Sequence, residues 1–250
     1  MITRTVAVSV ALVTSFGLLT APVALAQDAA KVAPDVYKVV LENASVRVLE
    51  VHAKAGQKVA THSHPDSVIY HVTAAKLKFG HPDGKTVDQD AKAGDILFAK
   101  AETHTPENAG KEDAGVLVVE LLAGADKPQA AMPKGEDAGK SPGVKVILDN
   151  DRVRVLDVHI PAGAKVPMHV HPDNLVYCLS EGKLKFTDAE GKSTEKDLAK
   201  GAAVWSGPMA HAAENVGKNE VHVLHFEIKP PAAAKHDEKK DEKKAEPKKP

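Results

Sequence analysis

Short runs in which apolar and polar residues alternate recur along most of the chain. Examples are VRVLEV (46–51), LVYCL (175–179) and the two KLKF segments at 76–79 and 183–186. A two-residue period is that of a β-strand, whose successive side chains point to opposite faces. Turn-forming pairs, among them Ala55-Gly56, Asp83-Gly84 and Glu190-Gly191, break these runs at the spacing of roughly 8–12 residues that marks small β-sandwiches and barrels. The pattern predicts an all-β fold in which any helices are short.

The runs also repeat as a set. Placing residues 39–122 over 146–229 at a constant offset of 107 gives 34 identities in 84 positions without a gap. VRVLEVH (46–52) falls on VRVLDVH (153–159), HSHPD (62–66) on HVHPD (169–173), and KLKF on KLKF. A gapless match requires equal strand and turn lengths, and a unit of this size is too long for a solenoid repeat and suits a small domain. The chain therefore divides into a first barrel (27–122), a linker (123–143) and a second barrel (144–231). The linker mixes Pro, Gly, Ala and charge without apolar periodicity.

Both ends read differently. Residues 1–26 combine one early charge, Arg4, with an apolar run and the small-x-small pattern Ala24-Leu25-Ala26, which reads as a signal peptide and predicts an exported chain, periplasmic or secreted, with no membrane anchor after cleavage. Residues 232–250 interleave Lys with Asp and Glu around no large apolar side chain, the composition of a disordered, solvated tail.

Composition narrows the chemistry. Gly and Pro number 17 and 16 while aromatics make up only 4%, which favours turns over large apolar helices. Without its first 26 residues the chain has 32 basic residues (33 less Arg4) against 34 acidic ones, and the positive charge gathers in the tail, so nucleic acid is not the expected partner. Cys178 is the single cysteine. No intramolecular disulfide can form, and its place in an apolar strand predicts a buried, inert thiol.

Four histidines of each copy recur in the other: His52 with His159, His62 with His169, His64 with His171, and His104 with His211. His71, His81, His222 and His225 have no such partner, and repetition directs attention to the shared set. His62-Ser63-His64 and His169-Val170-His171 place two imidazoles on one face of an extended strand, and His104 and His211 supply a third from downstream. The six predicted metal ligands are His62, His64, His104, His169, His171 and His211.

These motifs resemble those of the cupin superfamily. The segments Gly56-QKVAT-His62-Ser63-His64 and Gly163-AKVPM-His169-Val170-His171 are similar to the start of the first cupin motif, G-x5-H-x-H-x3,4-E-x6-G. His104-TPE-Asn108 and His211-AAE-Asn215 are similar to the end of the second, G-x5-P-x-G-x2-H-x3-N, downstream of Gly94 and Gly201. The resemblance implies two tandem jelly-roll barrels, a bicupin, whose interior histidines hold a divalent metal. The chain departs from it in three ways. The motif glutamate falls on Val68 or Ile69 and on Leu175 or Val176, the second-motif histidine stands one residue nearer its glycine, and Ala75 replaces the closing glycine that Gly182 supplies in the second copy.

Three neutral imidazoles around a divalent ion (Fe, Zn, Mn, Ni or Cu) leave positions open for water, oxygen or an anion. The resemblance then points toward three-histidine cupins, which include thiol and diketone-cleaving dioxygenases, and implies a small anionic or bidentate substrate. A non-catalytic module that captures a small molecule or metal is the alternative, motivated by the lack of an evident acid or base beside the histidines. Homo-oligomerisation is compatible with either. Among other repeated residues, Arg47 and Arg154 suit a carboxylate or an ion pair, Tyr70 and Tyr177 suit the core, Asp66 and Asp173 suit a turn, and His52 and His159 suit a structural role.

Overall fold

The computed structural model describes residues 27–229; the expected signal peptide and tail lie outside the described residues. The first half contains β1 (Tyr37–Glu42), β2 (Val46–Ala53), β3 (His62–His64), β4 (Ser67–His71), β5 (Ala75–Gly80), β6 (Thr86–Ala91), β7 (Ile96–Ala99), β8 (Glu102–Asn108) and β9 (Ala114–Leu121). The second repeats them as β10 (Val144–Asp149), β11 (Val153–Ile160), β12 (Lys165–His171), β13 (Asn174–Cys178), β14 (Gly182–Asp188), β15 (Ser193–Leu198), β16 (Ala203–Ser206), β17 (Met209–Asn215) and β18 (Val221–Ile228). One four-residue helix, α1 (Ala29–Val32), and two short 3-10 turns complete the described elements.

Each half folds into a five-stranded and a four-stranded sheet, in the orders β1-β2-β9-β4-β7 and β3-β8-β5-β6, then β10-β11-β18-β13-β16 and β12-β17-β14-β15. The β1–β2 pair slips register between Val39 and Leu41, and the β10–β11 pair slips at the equivalent Val146 and Leu148. Even the irregularities repeat. Two antiparallel sheets enclosing an apolar interior in each half make the fold all-β, a pair of jelly-roll barrels of the cupin type.

Burial explains why the apolar pattern of β9 loses its alternation. Leu49, Val51, Val116 and Val118 fill the first barrel, whereas Val48, Leu117, Val119 and Leu121 point the other way. That outer face is covered too, because it packs on Val153, Val155, Leu175, Leu224 and Phe226 of the second barrel. The outer faces of the two five-stranded sheets thus form a shared core, and β9 is buried along its whole length.

Polar contacts cross this seam. Tyr177, buried as expected, donates its hydroxyl to Glu50 Oε1 at 2.8 Å, and Arg152 reaches Asp66 and Asp126. Tyr177→Phe removes one hydrogen bond to a carboxylate without changing the packing. It is expected to lower stability by about 1–2 kcal/mol in urea denaturation, and no change would mean that the seam is held by apolar contact alone.

The segment 123–143 is not uniformly a spacer. Asp137 caps the 3-10 turn Ala138–Lys140, and the neighbouring Glu136 carbonyl accepts from Val170 of β12, so the end of this segment packs on the second barrel. Asp28 does the same at the first, capping α1 and bridging to Ser63 of β3.

Two glycine positions carry the turns that set the site. Gly56 and Gly163 open the first motif with positive φ, 73° and 76°, a backbone that side chains disfavour. Gly182 is held by crowding, since a Cβ there would stand 2.4 Å from Val221 Cγ2. The first barrel has Ala75 at this position and the smaller Ala114 at that of Val221.

Candidate metal centres

The two-residue spacing of each HxH pair turns both imidazoles into the barrel, and antiparallel pairing delivers the third. His104 on β8 stands directly opposite His62 on β3, and His211 on β17 opposite His169 on β12. The one-residue shortening of the second motif therefore leaves the histidine in register. All six expected ligands are buried, and the donor atoms within each triad lie within 4.8 Å of one another.

Fixed acceptors decide which nitrogen faces inward. In the first barrel His62 Nδ1 donates to the Ala60 carbonyl at 2.8 Å, His64 Nδ1 to Glu120 Oε1 at 2.7 Å, and His104 Nδ1 to Glu102 Oε1 at 2.9 Å. A carbonyl or carboxylate can only accept, so each Nδ1 carries the proton and each Nε2 presents a lone pair. His62 Nε2 and His104 Nε2 then face each other at 3.3 Å, an arrangement that repels unless a cation stands nearby. In the second barrel His169 Nδ1 donates to Pro167 O and His171 Nδ1 to Glu227 Oε1, and His171 Nε2 is buried with no partner among the described residues. The donor set fits a divalent metal in both barrels. Burial pushes His62 down to about 4 and His211 down to about 3, which keeps both imidazoles neutral and available as ligands.

The sequence offered no acid or base beside the histidines, and the structure corrects this. Glu120 and Glu227 come from β9 and β18 of the opposite sheet, behind the second histidine of each pair. In place of the motif glutamate, each barrel offers a carboxylate that fixes one of the expected ligands from behind. Arg47 and Arg154 also turn inward, where each joins that glutamate to an aspartate, giving the chains His64–Glu120–Arg47–Asp28 and His171–Glu227–Arg154–Asp137. Burial alone would raise the Glu120 carboxyl, but bonds from His64 and Arg47 outweigh it and hold it below its usual value.

Part of this was detectable. Glu120 and Glu227 are identical between the copies and interrupt apolar runs. Asp28 in DAAK and Asp137 in DAGK stand 109 residues apart rather than 107, so a gapless alignment of the barrels passes over them.

The two cavities differ. The first, of about 80 Å³, is lined by Glu102, His71 and Gln89 near the triad, and the second, of about 360 Å³, has Met209 and Cys178 at the positions of Glu102 and His71. His104 donates to Glu102 and keeps that carboxyl low, whereas His211 Nδ1 is without a partner among the described residues. The second cavity gains His225, where the first has Val118. Its ring stacks on His171 with centroids 4.7 Å apart, and burial holds it neutral, so this unrepeated histidine belongs to the site after all. Cys178 is buried and free, as expected.

No protein-family profile matches the chain, and no curated protein matches its sequence. Solved structures do match in fold. A tryptophan-to-tyrosine variant of oxalate decarboxylase from Bacillus subtilis superposes with a TM-score of 0.58 at 15% identity, covering 79% of this chain and 73% of that one. The same protein at pH 4.6 gives 0.56 at 15% identity, covering 76% and 69%. A study of the Mn(II) centres of Bacillus subtilis oxalate decarboxylase gives 0.55 at 15% identity, covering 76% and 71%. The likeness is one of fold, over a span longer than either barrel.

Proposed function

We propose that this chain is a metal-dependent member of the cupin superfamily, with one divalent ion (Fe, Zn, Mn, Ni or Cu) on His62, His64 and His104 and another on His169, His171 and His211. The observation that carries this reading is the convergence of three imidazoles in each barrel, five of the six pinned through Nδ1 by a fixed acceptor. A histidine kept only for packing needs no such orientation.

The first barrel is the proposed reactive site, with dioxygenase-like chemistry on a small anionic or bidentate molecule. A bound divalent ion would supply Lewis acidity and, if redox-active, a route for electrons. The protein's own contribution is Glu102, an ionised carboxylate that both orients His104 and lines the cavity, where it can accept a proton from a bound substrate. A short dicarboxylate of the kind named for the similar decarboxylase structures has the required charge and bite.

The second barrel supports the binding reading better. Met209 replaces the carboxylate, and the cavity is larger, which suits capture of a ligand without proton transfer. Residues 1–26 support action outside the cytoplasm, in the periplasm or beyond, on a small-molecule partner, with self-association compatible and nucleic acid not involved.

Metal analysis of untagged protein tests the sites, with His62→Ala and His169→Ala combined expected to remove two equivalents relative to wild type. Oxygen uptake and carbon dioxide release with oxalate, thiols and diketones test the chemistry, and His62→Ala alone should abolish turnover. Equal metal content in both proteins, or no turnover of any of these substrates, would overturn the corresponding part.

A further inference from the structure

The outer face of the second barrel carries another group of metal-binding side chains. Asp157 and His159 are two residues apart on β11 and so share one face, and antiparallel pairing sets His222 of β18 directly across from His159. The two imidazole rings stack with centroids 4.0 Å apart and 21° between planes. Both Nε2 atoms converge on one oxygen, with Asp157 Oδ1 2.6 Å from His222 Nε2 and 3.5 Å from His159 Nε2. Donor atoms of a tetrahedral zinc site stand on the order of 3.3 Å apart, given metal–ligand distances of about 2.0–2.2 Å. The His159–Asp157 spacing therefore fits as it stands, and the 2.6 Å His222–Asp157 hydrogen bond opens when an ion takes the place of its proton.

A second observation concerns orientation. Glu220 Oε1 lies 2.9 Å from His159 Nδ1, so the carboxylate fixes a proton on that nitrogen and turns Nε2 toward Asp157. His159 thus stands between two carboxylates, whose combined negative charge favours a positive charge at Nε2, a proton in the free protein or a divalent cation in its place. The carboxylate–histidine pairing matches that behind the buried triads and is the usual support of a metal-ligating histidine.

We infer that Asp157, His159 and His222 form a third metal site, for a borderline divalent cation such as zinc, at the edge of the seam between the barrels. Two imidazoles and one carboxylate suit zinc, copper or nickel better than calcium or magnesium. The site belongs to the second barrel alone. In the first, His52 is retained, but Gly115 stands where His222 does, and Glu50 is engaged by Tyr177 across the seam. The expected histidine pair is therefore not equivalent in the two copies: His52 has no imidazole facing it, and His159 has one.

The test is zinc binding by equilibrium dialysis at saturating zinc, on untagged full-length protein, comparing wild type with His222→Asn and His159→Gln. Melting in chelator checks that both exposed-face variants remain folded. Each variant should bind one zinc fewer than wild type, and zinc should raise its melting temperature less. Equal zinc counts in wild type and both variants would overturn the site. The combined His62→Ala and His169→Ala protein separates this inference from the proposed function, since it should retain the zinc that His222→Asn removes. If that protein does not fold, the comparison of wild type with His222→Asn decides alone.

Discussion

Glu120→Ala is expected to lower the unfolding free energy by about 3–5 kcal/mol, the usual effect of removing one member of a buried ion pair. Glu120 is fully buried and receives Arg47 and His64 on its two oxygens. Removing it leaves a largely buried guanidinium with only Asp28, and frees the His64 ring to turn. The same change should weaken metal binding in the first barrel by about 10–100-fold, because the ligand loses its fixed tautomer and orientation. Glu120→Gln separates the two effects. It preserves volume and can still accept from His64, so metal affinity should recover more than stability, which depends on the negative charge. Urea denaturation and calorimetric metal titration read the two quantities. A Glu120→Ala protein within about 1 kcal/mol of wild type would show that the Asp28–Arg47 pair suffices.

Metal-free protein should lose several kcal/mol of stability between pH 6.5 and pH 4, in the window bounded by the ordinary histidine value and the depressed value of His62. Below pH 6.5 the unfolded chain takes up protons that the buried imidazoles refuse, so acid favours unfolding. At about 1.4 kcal/mol per pH unit, His62 contributes on the order of 3 kcal/mol. His211, depressed to about 3, extends the loss further down. Burial depresses His169 and His225 as well, and both act with the same sign. At lower pH the carboxyls of Glu120 and Asp28, held below their usual values, begin to protonate and continue the trend. His159, raised by Glu220, acts in the opposite sense, but it is half-exposed and screened. Denaturation curves at stepped pH in chelator check this. Saturating zinc should move the acid limb to lower pH, since the metal competes with protons for the same nitrogens. A flat profile from pH 7 to 4 would mean that the triads are hydrated and titrate normally.

The fold was readable because it rests on local pattern. Alternation along VRVLEV and its repeat prescribes strands, and a gapless offset prescribes two copies of one topology. The HxH pairs were readable for the same reason, since a period of two puts both rings on one face whatever surrounds the strand. Residues whose meaning depends on the opposite sheet or the sister barrel were not. Glu120 in AGVLVVEL is one charge in an apolar run, and only the closing of β9 over β3 brings it to His64. His225 lacks a repeat partner, and it enters the site because β18 stacks it on His171. Arg47 is compatible with a surface pair or a substrate until its direction into the barrel is known.

Sequence by itself therefore determined the strands, the duplication and the six inward histidines, because periodicity and repetition are properties of neighbours along the chain. Tertiary structure alone decided how the barrels share a core through the outer faces of their larger sheets, and which carboxylates orient the histidines. It also decided how the two cavities diverge. These relations join residues far apart in sequence, such as His64 and Glu120 or Glu50 and Tyr177. Their geometry is set by sheet packing, which no local period encodes.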